Sequence, residues 1–190
     1  MQTMCAEFSA QRVGYETKRF VFLDESGMRL GEVPRYGWAP CGQKASGRAK
    51  YSPRKTVTMI GAIAMDGIRG FVNIEAATTS EVFRAFIEQH LVQTLRPGDC
   101  VVMDNLAAHK DRAACAAIER AGASIMFLPQ YSPDLNPIEK LWSKIKEFVR
   151  RRATDTREMF DSAVGNAISN IANSDLVGWI QHCGYAIPST

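Results

Sequence analysis

Three acidic residues far apart in the chain hold positions where a carboxylate could do chemistry: Asp24, Asp104 and Glu139. Asp24 closes the apolar run Phe20-Val21-Phe22-Leu23, and Asp104 closes a second, Cys100-Val101-Val102-Met103. Glu139 lies in Leu135-Asn136-Pro137-Ile138-Glu139, just inside a predicted helix. An acid at the tip of a buried strand is costly to desolvate unless it is paired or holds a cation. Three that converge would make an oxygen-lined site for Mg²⁺ or Mn²⁺, the ions suited to phosphoryl chemistry. The combination points to a metal-dependent nuclease or strand-transfer domain.

Each acid also has a plainer reading. Asp24 precedes Glu25-Ser26-Gly27 and could simply start a turn. Asp104-Asn105 suits a turn or a helix cap equally well. Glu139 follows Asn136 at capping-box spacing, with Pro137 in the place proline prefers. A capping Glu reaches back to its own helix end, whereas a ligand must reach toward the strand tips. Along that helix Glu139, Trp142 and Lys146 share one face. Leu141, Ile145, Phe148 and Val149 form the packing stripe beside it, and Trp142 reads as core. Lys140, Lys144, Arg150, Arg151 and Arg152 fit two accounts equally: a solvated face with cations at the helix C-terminus, or a track for nucleic-acid phosphates.

The elements that must position these residues follow from periodicity. Arg19 to Asp24 reads as a strand buried on both faces. Residues 26–55, rich in Gly, Pro, Arg and Lys around Tyr36-Gly37-Trp38, read as a long inserted arm. Thr56–Met65 and Ile68–Ile74 read as a hairpin turning at Asp66-Gly67. A helix opens at a Thr78–Glu81 capping box, with Val82, Phe83, Phe86, Ile87, Leu91 and Leu95 as its apolar stripe. Cys100–Met103 and Ser124–Leu128 are strands, and Lys110–Ala121 is a helix ended by Gly122. Helices are expected over Pro137–Arg152, Thr156–Ala172 and Asp175–His182. Three strands followed by alternating helices and strands give an α/β fold: a mixed sheet with helices on both faces. A right-handed crossover would place the Cys100 strand beside the Arg19 strand, with Asp24 and Asp104 leaving the same end about 5 Å apart.

At 190 residues the chain is one ordinary domain, or one domain with a small appendage. No apolar stretch approaches a membrane span, and the first residues have no signal-peptide pattern. The five cysteines are scattered without a C-x-x-C pair, which suits reduced thiols in a cytosolic protein. A net charge of +3 is too small to imply a nucleic-acid partner by itself. Its distribution is more telling: Lys44, Arg48, Lys50, Arg54 and Lys55 form one basic stretch, and Lys140, Lys144, Lys146 and Arg150 begin another.

Four stretches together resemble one family. They are Phe22-Leu23-Asp24-Glu25-Ser26-Gly27, Arg35-Tyr36-Gly37-Trp38-Ala39-Pro40, Val101-Val102-Met103-Asp104-Asn105 with His109, and Leu128 through Glu139 with Trp142. The chain is similar to the catalytic domain of DDE-type transposases, in the bacterial insertion-sequence branch of the mariner superfamily. The likeness covers roughly residues 19–187, and 34 residues separate Asp104 from Glu139, the family's interval. It implies a ribonuclease H-like fold and DNA strand cleavage followed by 3′-hydroxyl strand transfer. It implies Asp24, Asp104 and Glu139 as the metal-binding triad for Mg²⁺, with Mn²⁺ as substitute and two ions in the site. Glu25, Asn105, His109 and Asn136 match recurring positions around that triad.

The basic residues Lys44, Arg48, Lys50, Arg54, Lys140, Lys144, Lys146 and Arg150 become candidates for holding DNA. The arm around Trp38 resembles a clamp toward a partner subunit or DNA. A homodimer on DNA, no organic cofactor, no membrane and a bacterial cytoplasmic, nucleoid-associated location are expected. Such transposases carry helix-turn-helix modules ahead of this domain, and fewer than 20 residues precede the first strand here. Residues 1–18 therefore read as a leader or the remnant of a missing region. The alternatives are a catalytically inactive DNA-binding or dimerising remnant, and a nuclease acting on branched DNA or RNA.

Overall fold

The run Phe20-Val21-Phe22-Leu23 is buried on alternating sides: Phe20 and Phe22 enter one apolar cluster, Val21 and Leu23 another. Consecutive large apolar residues can all be buried this way only in a strand covered on both faces. The computed structural model describes residues 8, 10, 12, 14–34, 37–46, 55–152 and 154–187, and this strand is the middle of its five-stranded sheet. The strands are β1 (Phe20–Arg29), β2 (Thr56–Ala64), β3 (Gly67–Ile74), β4 (Cys100–Met103) and β5 (Ser124–Phe127), in the order β3-β2-β1-β4-β5. β2 is antiparallel to β1 and β3, and β4 is parallel to β1 and β5. This is the expected mixed sheet, with the Cys100 strand beside the first strand.

Helices α1 (Ser80–Phe86) and α2 (Arg112–Arg120) cover one face, through Phe83, Phe86, Ala114 and Ile118. Helices α3 (Ile138–Arg150), α4 (Arg157–Ser169) and α5 (Asn173–His182) cover the other, through Leu141, Trp142, Phe160, Val164 and Ile180. Each large apolar side chain so buried contributes about 1.5–3 kcal/mol. Residues ahead of β1 join the same core. Phe8 is buried, the Tyr15 hydroxyl donates to Ser124 Oγ at 2.9 Å, and the Thr17 hydroxyl donates to the Ala186 carbonyl. No helix among the described residues is long and apolar enough to cross a membrane. Cys41, Cys100, Cys115 and Cys183 are free thiols.

Several local expectations are corrected. β1 does not end at Asp24 but continues to Arg29, because β2 pairs with it from Phe22↔Ile63 to Arg29↔Thr56. Met28 is buried on that extension. The inserted segment therefore leaves the sheet at Leu30 rather than at residue 26, and the Leu30 N–H closes its base by donating to the Lys55 carbonyl. Arg35 and Tyr36 of this segment, and the candidate DNA contacts Arg48, Lys50 and Arg54, lie outside the described residues.

The hairpin turns at Met65-Asp66, one residue early, since Ala64 already pairs with Gly67. The cap of α1 is Thr79, which accepts from the Val82 N–H, and not Thr78. A wider π turn (Ile87–Leu91) carries α1 on and keeps both Ile87 and Leu91 buried. α2 begins at Arg112 with Asp111 as its cap, after a short 3-10 turn over Ala108–Lys110. α3 begins at Ile138 with Pro137 at the cap position, and its cap makes no side-chain hydrogen bond. The expected Asn136–Glu139 capping box is absent because the Asn136 amide is directed to Asp24 instead.

Candidate active site

β4 pairs with β1 only as far as Phe22↔Val102 and ends at Met103, while β1 continues. Past that point the two strands part, and a cleft of about 330 Å³ opens where they do. Asp24 of β1 lines it, as do Asp104 and Asn105 just after β4. Asn136 and Glu139, at the start of α3, line it too. The loop from Leu128 to Pro133 makes another wall. The end of parallel strands at a change of topology is where α/β sheets usually bind ligands.

Asp24 is 7% exposed. Its Oδ2 accepts from Trp142 Nε1 at 3.2 Å and from Asn136 Nδ2 at 3.4 Å. Burial pushes its carboxyl up to about 7. The Glu139 and Glu25 charges push the same way, and the Glu25 N–H and the Trp142 indole pull against them. Asp104 is held differently. Its Oδ1 receives His109 Nδ1 at 2.5 Å and the Leu106 N–H at 3.1 Å. Burial alone would raise its carboxyl, but the His109 hydrogen bond and charge outweigh that and lower it.

His109 is fully buried under the Phe83 ring, 4.5 Å away. Its Nε2 meets Glu25 Oε2 at 2.8 Å. Both ring nitrogens thus face carboxylate oxygens, a geometry that suits a doubly protonated ring donating to two ionised carboxylates. Burial pulls the imidazole down, but bonds and charges from Asp104 and Glu25 lift it to about 10. Glu25, placed from sequence around the triad, therefore lies behind Asp104 and acts on it through His109.

Glu139 stands exposed on the first turn of α3, one turn from Trp142. Lys146 follows on the same face. Burial lowers its pKa, as does Arg150, against the opposing charges of Glu139, Glu32 and Asp24. Two other candidate cations already have partners: Lys144 meets Asp175 at 2.6 Å and Arg150 meets Glu32 at 2.8 Å. Lys140 and Lys44 are exposed. None of these basic residues lines the cleft.

Two functional neighbours were not read from sequence as such. Trp142 was placed on the Glu139 face by its spacing, but its hydrogen bond to Asp24 carries no sequence signal. Gly61 is the cross-strand partner of Asp24, and it packs under the Trp142 ring.

Among the described residues no group of three or more acidic, His or Cys side chains is gathered tightly enough to hold an ion as it stands. The donor set still suits a hard divalent cation. Carboxylates from three stretches of the chain surround one opening, and burial and like charges raise the pKa of one of them, Asp24, which a cation would offset. The buried Asn136 Oδ1, beside Asp24, has no hydrogen-bond partner among the described residues.

A sequence model of the family described as DDE superfamily endonuclease matches residues 19–161. No curated protein sequence matches the chain. Among solved structures, the fold is similar to the Mos1 transposase paired-end complex with left transposon end, with TM-score 0.79 and 16% identity over 96% of this chain. It is also similar to the Mos1 mariner paired-end complex with Mn, with TM-score 0.77, 15% identity and 96% coverage. The chain spans 57% and 58% of the Mos1 chains in those two structures. The isolated catalytic domain of Mos1 mariner transposase matches with TM-score 0.68 and 13% identity, over 96% of this chain and 85% of that one.

Proposed function

The chain belongs to the DDE superfamily endonucleases, and from that premise we propose that residues 19–187 are a transposase catalytic unit that cuts a DNA strand and transfers the freed 3′-hydroxyl. The observation that carries this reading is the meeting of Asp24, Asp104 and Glu139, from three separate stretches of the chain, in one cleft. These carboxylates are the residues that would hold Mg²⁺ or Mn²⁺, as two ions. Bound there, divalent metal would acidify a water and stabilise charge on the phosphodiester oxygens.

The protein's own part is to aim the three acids. Trp142 and Asn136 fix Asp24 from the core side. His109 fixes Asp104, and Glu25 fixes His109. With both nitrogens engaged, His109 has no lone pair to offer a water. It is a positioning residue rather than a general base. Glu139, exposed on a helix turn, is the acid freest to adjust.

DNA phosphates would lie along Lys140 and Lys146 on α3 and along Lys44, Arg48, Lys50 and Arg54 of the 30–55 segment. Lys144 and Arg150 would first have to leave Asp175 and Glu32. The likeness to Mos1 on a transposon end supports DNA ends as substrate. A pair of subunits on DNA, with the 30–55 segment as the contact between them, goes with this reading. A bacterial insertion sequence and a nucleoid-associated location go with this reading.

The test is Asp104→Asn. It should abolish Mg²⁺- or Mn²⁺-dependent nicking while leaving DNA affinity within about threefold, since no phosphate contact is removed. Full nicking by that variant would defeat the proposal.

A further inference from the structure

The loop between β5 and α3 holds a residue that costs conformational energy and returns no packing. Tyr131 is the one non-glycine residue with positive φ among those described, at 58°, a region that bulky side chains avoid. Its ring is 91% exposed. A glycine or asparagine would hold the same turn with less strain. Tyr131 lines the cleft, as does Leu106, which is 49% exposed on the loop after β4. Two apolar side chains are thus held out in water from two loops of an acidic opening.

We infer that Tyr131 stacks on an unpaired nucleobase of the DNA strand that enters the cleft, with Leu106 bounding the same slot. The inference rests on the reading of the cleft as a DNA-cleaving site. A strand whose phosphate sits among the carboxylates must put its adjacent bases against the cleft walls. A flat aromatic face accepts any base, because every base has a π surface. The ring, not the hydroxyl, is the working part, so Phe should serve in place of Tyr.

The experiment uses the full chain without Mg²⁺ or Mn²⁺. The probes are a short duplex ending in an unpaired overhang with 2-aminopurine in the overhang, and the matched blunt duplex. Fluorescence quenching reports stacking on the labelled base, and anisotropy reports binding. Wild type and Tyr131→Phe should quench the overhang base. Tyr131→Gly should lose the quenching and bind the overhang DNA about 5- to 100-fold more weakly, with blunt-duplex affinity nearly unchanged. Tyr131→Gly should also melt no lower than wild type, because it relieves strain and removes no packing.

Equal quenching and affinity in Tyr131→Gly would overturn the inference and leave the proposed function standing. A Gly variant melting well below wild type would overturn it as well, since the ring would then be a packing residue. Wild type binding neither DNA would sink both readings.

Discussion

Gly61 sits directly across the β1–β2 ladder from Asp24, and the space its side chain would fill is taken by the Trp142 ring. A methyl group there would lie 3.0 Å from the Trp142 Cη2 and 3.1 Å from the Phe71 Cδ2. Gly61→Ala should therefore cost about 1–3 kcal/mol of stability, because two large rings must move in a close-packed layer. Moving the indole also takes its N–H away from Asp24, so nicking should fall along with stability. Urea unfolding and a nicking assay check the two effects, and an unchanged unfolding midpoint would contradict the packing account.

Trp142→Phe separates the ring from its hydrogen bond. The Phe ring keeps much of the buried surface but offers nothing to Asp24, whose other side-chain donor is Asn136 at 3.4 Å. A loss of about 1–3 kcal/mol is expected. With one charge-favouring donor gone, Asp24 should need more metal to ionise. The Mn²⁺ concentration for half-maximal nicking should rise, which a metal titration measures.

Asp24 should destabilise the metal-free protein at neutral and alkaline pH. Its folded pKa of about 7 lies above the ordinary 3.8. Across that window the unfolded chain releases a proton that the folded chain keeps, so stability falls as pH rises from 3.8 and the full cost is present above 7. Asn cannot ionise. Asp24→Asn should therefore be more stable than wild type at about pH 8 without metal, by roughly 2–4 kcal/mol, with the gap closing toward pH 4. Mn²⁺ should raise the melting temperature of wild type and not of the variant. Thermal melts across pH, with and without Mn²⁺, decide it.

His109→Gln removes the cation between Glu25 and Asp104 and leaves two acids close to each other. The cost should reach about 3 kcal/mol, below that of a fully buried pair because Asp104 is 39% exposed. The sign with pH runs in both directions. The raised His109 pKa gives a contribution that is complete below 6.5 and lost as pH passes about 10. The lowered Asp104 pKa gives one present above 3.8 and lost in acid. The stability gap between wild type and His109→Gln should therefore be widest between those limits and shrink on either side. Glu25→Gln combined with His109→Gln should cost less than the sum of the single changes.

The sheet was legible because its strands are short apolar runs bounded by turn residues, and the parallel neighbours Cys100–Met103 and Ser124–Phe127 came through nearly residue for residue. The end of β1 was not. Glu25, Ser26 and Gly27 look like a turn, and only pairing with β2, more than thirty residues away, keeps them extended. The Thr78 and Asn136 caps were misassigned for a related reason. Several polar residues near each helix start could cap it, and tertiary partners choose among them: Asn136 goes to Asp24, and Thr79 takes the α1 cap. The three acids could be picked out because their spacing matched a known pattern. Glu25, His109 and Asn136 could be named through the same pattern, but Gly61 and the Trp142 hydrogen bond to Asp24 could not, because they act through contacts across the fold.

β1 carries Asp24 and, a few residues on, delivers the chain into the 30–55 segment at Leu30. Asp24 and the point where that segment leaves the sheet are thus mounted in series on a single stiff rail. A load applied to that segment would be felt at Asp24 as tension along the strand. Occupancy outside the cleft could in this way set the spacing of the acids within it.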